Sequence, residues 1–167
     1  MEGTSKKKKK NMSKQVVKKK FPGVDELKIY DHLLFVDLNQ FRSFFKLLTR
    51  PFPVSSFIFL FCGDRNYRFL PPTNKIWKKL LEEERIFYHP KFGTTSGDAN
   101  IAIKPVVENL DSQLPQTIPF TILTSVPSLK ELPSVAVDSG TNRKITVISQ
   151  HQDVHTKVNM VMLGEEI

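Results

Sequence analysis

The chain has 167 residues, 40% of them hydrophobic and 10% aromatic, which is enough for one domain with its own core. Its formal charge of +8 is not spread over that domain, because residues 1–20 hold nine lysines and one glutamate while the remainder balances 16 basic against 16 acidic residues. A uniformly basic domain is thereby excluded, and the single cysteine, Cys62, excludes an intramolecular disulfide and a thiolate metal cluster.

A lone cysteine points to a reducing compartment. No run approaches the roughly 20 apolar residues of a membrane span, and the charged start is not followed by the apolar region of a signal peptide. The expectation is a soluble protein, nuclear or cytosolic, with no membrane partner.

The segment KKKKKNMSKQVVKKK (6–20) buries too little apolar area to offset its ordering entropy, so residues 1–20 are expected to form a disordered basic tail. Three roles fit such a run: a solvated tail, a nuclear-import address, or an arm that binds phosphates. FPGVDELKIYDH (21–32) reads as a lead-in. HLLFVD then forms a short continuous apolar run, as suits a strand buried on both faces. NQFRSFFKLL follows with Phe41, Phe44, Phe45 and Leu48 at helical spacing, closed by Arg50-Pro51.

SSFIFLFCG (55–63) reads as a central strand, and DRNYRFLPPT (64–73) as loop. NKIWKKLLEEE predicts a helix with Asn74 as N-cap and Ile76, Trp77 and Leu80 facing inward. RIFYHP predicts a third strand and KFGTTSG (91–97) a loop. DANIAIKPVVENLDSQL predicts a further helix, kinked at Pro105 where a backbone hydrogen bond is lost. IPFTILTS (118–125) is the fourth strand, PSLKEL a short helix, and KITVIS (144–149) a last strand; residues 150–167 carry no strong pattern.

Alternating strands and helices, joined by connections too long for hairpins, imply crossover units. The expected fold is α/β, a three-layer sandwich with a mainly parallel central sheet spanning residues 21–149. In such a sheet a ligand site lies beyond the carboxyl ends of the strands. Asp37, the segment Cys62-Gly63-Asp64, Asp98 with Asn100, and Thr124-Ser125-Val126 are all placed there.

These residues also carry a resemblance. LLFVDLNQF, SGDANIAI and FTILTS resemble the PIN/NYN nuclease fold. VDLNQF, FLFCG and LDSQLPQTIPFTIL resemble more closely the PIN-like domain at the C-terminal end of a zinc-finger SUMO ligase, over roughly residues 32–130. The resemblance implies a carboxylate cluster that holds Mg²⁺ or Mn²⁺, ions that take hard oxygen ligands and activate water against a phosphate. Carried over, Asp37 matches the first acid and Asn39 its polar companion. Asn100 stands where an Asp is expected, with Asp98 the nearby acid, and Val126 takes the last acid's place. Asp37 and Asp98 are thus the candidate metal ligands, and Asp37, Asp98 and Asn100 the candidate catalytic set. Asn can offer a carbonyl oxygen, whereas Val126 offers no ligand.

Asp37 accordingly has three readings: a helix cap, an inherited site position, or a working ligand. Glu82, Glu83 and Glu84 are either replacement acids or a solvated face. Cys62 is read as a buried small apolar residue or a nucleophile, and HQDVH (151–155) as surface tail or as a metal site. Arg65, Tyr67, Arg68 and Phe69, followed by Lys75 and Trp77, interleave bases and aromatics as single-strand binders do, although loop aromatics also staple loops to cores.

The functional expectation is a degenerate, catalytically inactive PIN-like domain without a cofactor, acting as a nuclear interaction or nucleic-acid-binding module whose partners are RNA or nuclear proteins. The alternative is an active Mg/Mn-dependent RNA endonuclease; a third reading is a relative with no preserved function. No zinc-finger pattern is present, so the resemblance does not extend to ligase activity.

Overall fold

The computed structural model describes residues 20–38, 55–61, 75–89, 99–124, 127–131 and 143–149. The runs without polar residues become the centre of the sheet. β1 (His32–Asp37) and β2 (Ser56–Phe61) are buried at every position, so neither strand has a solvent face and neither sequence alternates. β3 (Ile86–His89), β4 (Phe120–Leu123) and β5 (Ile145–Ile148) complete five strands in the order β3-β2-β1-β4-β5. Every pairing is parallel, where a mainly parallel sheet was expected.

Four helices are described: α1 (Val24–Leu27), α2 (Lys75–Glu82), α3 (Ala99–Gln113) and α4 (Pro127–Lys130). α1 falls in the stretch read as a lead-in. Its four residues are too short for a periodic pattern, and Gly23 caps it without a side-chain bond. α3 runs through Pro105, which is exposed, so the lost hydrogen bond lies on the solvent side.

Register divides the sheet's side chains into two faces. One carries Phe35, Phe57, Phe59, Phe61, Phe87 and Phe120, against Ala102, Ile103, Val107, Leu110 and Leu114 of α3 with its following residue, and Leu27 and Leu129. Phe35 lies parallel to Phe59 at 5.0 Å and edge-on to Phe120 at 5.3 Å, which gives these rings offset and T-shaped contacts worth something beyond their buried area. The opposite face carries Leu34, Val36, Ile58, Leu60 and Leu123, also buried; Leu80 of α2 is buried outside the aromatic cluster. Both faces are therefore covered, as three layers require.

Two polar groups hold the amino-terminal edge of the sheet. His32, 4% exposed, sits between two hydroxyls, with Nδ1 3.0 Å from Ser56 Oγ and Nε2 2.8 Å from Thr121 Oγ1. A neutral ring donates from one nitrogen and accepts at the other, and the hydroxyls rotate to match. Burial lowers the His32 pKa to about 4. Arg143 is the second. Its Nε donates to Asp111 Oδ1 at 2.6 Å, Nη1 to the carbonyls of Pro115 and Ile118, and Nη2 to those of Asp111 and Leu114. All five guanidinium N–H groups are used, the last carbonyls of α3 gain donors, and the cation lies 4.2 Å from the centre of the Phe120 ring.

Two outcomes follow from these side chains. Because the folded state holds His32 neutral while the unfolded chain binds its proton near pH 6.5, stability is full above pH 6.5 and is lost as pH falls toward 4, by roughly 3 kcal/mol. Urea melts across that window should show the slope, and His32→Gln should flatten it. Arg143→Lys replaces five forked donors with three on one ammonium, leaving at least two of the five acceptors without a donor, and should lower the unfolding free energy by about 3 kcal/mol. Equal urea midpoints for Arg143→Lys and the parent would show that the fork does not hold α3.

Candidate functional site

The chain reverses its direction of travel across the sheet between β1 and β4: β2 and β3 lie to one side of that pair, β5 to the other. A crevice opens at such a switch point, beyond the carboxyl ends of the strands. Asp37 is the last residue of β1 and is 1% exposed. Val36 pairs with Leu123, so Thr124, fully buried, stands one step on at Asp37's level across the switch. Hydrogen bonds continue the ladder on both sides, Leu38 N donating to Phe61 O at 2.8 Å and Thr124 N to Ile148 O at 3.0 Å. Backbone pairing thus fixes both residues, and neither needs a loop to place it.

Asp37 also lies in a row that sequence reading missed. It pairs with Phe61, and Phe61 with His89, so Asp37, Phe61 and His89 share the aromatic face at one level. The His89 ring stacks on Phe61 at 5.1 Å and 23°, and meets Phe87 edge-on at 5.9 Å. RIFYHP contained the signal: His89 has the parity of Phe87 and closes its strand as Asp37 closes β1.

The helices bring other candidates to this edge. Arg143 binds the last carbonyls of α3 beside Phe120, the first residue of β4, so α3 ends at the amino edge of the sheet. Its 15 residues span about 22 Å, close to the length of β1, which puts the first turn with Asn100 at the carboxyl edge. α2 runs the same way: Arg85, just after it, donates through Nε to the carbonyl of Ser56, the first residue of β2. Lys75 and Trp77 therefore lie at the carboxyl-edge end of α2.

That direction removes one alternative. Glu82, Glu83 and Glu84 are exposed at the amino edge, at the opposite end of the sheet from Asp37, and cannot replace missing ligands. Glu83 accepts from Arg85 Nη1 at 2.8 Å. Glu84 takes φ 54° as the turn after α2 closes, with Arg85 N donating to Leu80 O at 3.0 Å. The same acids bear on Tyr30, whose pKa is raised chiefly by burial, with Arg85 opposing and Glu83 and Glu84 adding.

Asn39, Cys62, Arg65, Tyr67, Arg68, Phe69, Asp98, Val126 and the HQDVH stretch lie outside the described residues, as do the side chains of Lys75, Ile76, Trp77 and Asn100. At the carboxyl edge the described side-chain oxygen donors toward a cation are one carboxylate, Asp37, and two hydroxyls, Thr124 and Ser149, in the row that also holds Phe61 and His89. Mg²⁺ and Mn²⁺ ask for several hard oxygens, and this set does not fit them. Among the described residues no group of three or more His, Cys, Asp or Glu could hold a metal ion.

The family described as PIN like domain matches residues 29–148. The chain belongs to that family. It is 34% identical over 123 residues to the E3 SUMO-protein ligase ZNF451 of Homo sapiens, covering 73% of this chain and 11% of the relative. It is 35% identical over 112 residues to the Mus musculus protein of the same name, covering 66% of this chain and 10% of the relative. The PIN-like chain thus spans about a tenth of the length of these curated relatives. No solved structure matches it.

Proposed function

We propose that this PIN-like domain is a catalytically degenerate scaffold that acts as a nucleic-acid-binding module in the nucleus, with single-stranded RNA as its partner class. The observation that carries the reading is the composition of the carboxyl edge. Where the family's carboxylates are expected, the described edge offers Asp37 beside Phe61, His89 and Thr124, and the sequence supplies Val126 in place of the last acid. One carboxylate cannot fix an ion that keeps most of its hydration shell.

Affinity is assigned to the basic segments. The nine lysines of residues 1–20 supply phosphate contacts, and Arg65, Tyr67, Arg68, Lys75 and Trp77 supply charge and stacking surface on a segment that leaves from the carboxyl end of β2. The relatives' name as SUMO ligases and the lysine runs support a nuclear setting. Ligation itself is not assigned to this chain, which covers about a tenth of the ligases it resembles. The endonuclease reading rests on Asp37 at the described edge and on Asp98, which lies outside the described residues.

Two measurements decide the matter. Labelled single-stranded RNA incubated in Mn²⁺ should be cut no faster by the purified protein than by Asp37→Ala prepared identically; metal-dependent cutting that vanishes in the variant would establish a nuclease instead. Deleting residues 1–20 should flatten the salt dependence of RNA binding, each lost lysine contact reducing the slope by about 0.7 in log–log form. An unchanged slope would leave the tail as an import address, to be read from nuclear accumulation.

A further inference from the structure

β3 stands at one end of the strand order, and its two side chains on the aromatic face, Phe87 and His89, lie about 7 Å apart along the strand. Two further contacts make this end of the sheet a small aromatic surface. Phe21, from the lead-in before α1, meets Phe87 edge-on at 5.3 Å and tilts against Phe59 at 5.7 Å. His89 meets Phe87 edge-on at 5.9 Å and stacks on Phe61 at 5.1 Å. Each outer ring is thus seated on two phenylalanines, Phe21 at the level of the Phe59–Phe87 pair and His89 one step nearer the carboxyl edge.

The seats are buried and the outer rings are not. Phe59, Phe61 and Phe87 are at most 3% exposed, whereas Phe21 is 41% exposed and His89 half-buried. A ring whose orientation is already fixed by the core loses little freedom when a planar ligand stacks on it. The surroundings indicate which ligand. Among the described residues the exposed large hydrophobics are Phe21 and Ile29, and Ile29 adjoins Tyr30, whose ring lies against Phe57 at the amino end of β2. The described apolar surface around Phe21 is therefore narrow, far short of what a stable protein interface buries, while a nucleobase needs a single aromatic face. Charge agrees with this choice. Glu82, Glu83 and Glu84 are exposed at the amino edge and repel a polyanion there, and the exposed Lys20 directly precedes Phe21.

We propose that Phe21 and His89 form a two-ring stacking platform at the β3 end of the sheet for successive bases of single-stranded RNA, with Lys20 as the neighbouring phosphate contact. The proposal rests on the RNA-binding reading above and adds to it the side chains that take the bases. Stacking of this kind tolerates any sequence, because every base has a π face.

The test is fluorescence anisotropy of the full chain with a labelled oligoadenosine of about 12 nucleotides, and with an abasic strand of the same length, over a salt series. Phe21→Leu and His89→Leu each keep an apolar side chain against the buried phenylalanines and remove the ring. Each should weaken oligoadenosine binding about tenfold with an unchanged salt slope, since the phosphate contacts stay the same in number. Phe21→Trp and His89→Phe should retain the parent affinity. The abasic strand offers phosphates without bases, and should bind parent and variants alike. Parent affinity for oligoadenosine in both leucine variants would overturn the platform and leave the rings to a protein contact, with the RNA-binding reading still standing. An equal loss on the abasic strand would also overturn it, because the rings would then act through the fold. No binding of either strand by the full chain would overturn both readings.

Discussion

The guanidinium of Arg143 determines which way α3 lies, and the position of the site depends on that direction. Its five donors take the carbonyls of Asp111, Leu114, Pro115 and Ile118 and the Asp111 carboxylate, while the cation covers Phe120 at the start of β4. The end of α3, the turn after it and the start of β4 are thereby held at one point, immediately before β5. With its end fixed at the amino edge, the helix has its first turn at the carboxyl edge, above the side of the sheet that carries Asp37. Removing the charge would leave several carbonyls buried without donors, a larger penalty than the loss of one surface ion pair.

Packing explains why the remaining elements follow. A parallel sheet buried on both faces gains nothing from alternation, and β1 and β2 show none. Phenylalanines crowd one face and aliphatic residues line the other, and α3 meets the aromatic side with residues as small as Ala102. The lead-in uses what space is left: Tyr30 and Phe21 extend the phenyl ladder past the strands that α3 covers.

The strands were legible because their signal is local. HLLFVD, SFIFLF and FTIL are apolar runs of strand length, and no helix of three turns fits between their polar boundaries. α2 and α3 were legible from spacing, and Leu80 faces inward as that spacing requires. α1 left no trace, since four residues hold too little periodicity. Arg143 was invisible for a different reason: its acceptors lie 25 to 32 residues away and are mostly backbone carbonyls, which no side-chain pattern records. His89 and the three glutamates needed strand register and helix direction, properties of the assembled sheet that follow only once the strand order is known. Asp37 was placed correctly by its position at a strand end. Its chemistry was not legible, because a carboxylate's role depends on what two or three distant segments bring beside it.

The two edges of the sheet differ in how their polar groups are used. At the amino edge His32 is held by two hydroxyls, Arg85 by Ser56 O and Glu83, and Arg143 by five acceptors. Donors engaged in this way stabilise the fold and have little left to offer a ligand. At the carboxyl edge α2 and α3 present their first turns. A helix start carries amide groups with partial positive charge and favours anions. The helix starts thus favour negative charge at the same edge where Asp37 supplies it, so the carboxylate lies in a field that holds it ionised and does not by itself repel an anion's approach to the helix amides.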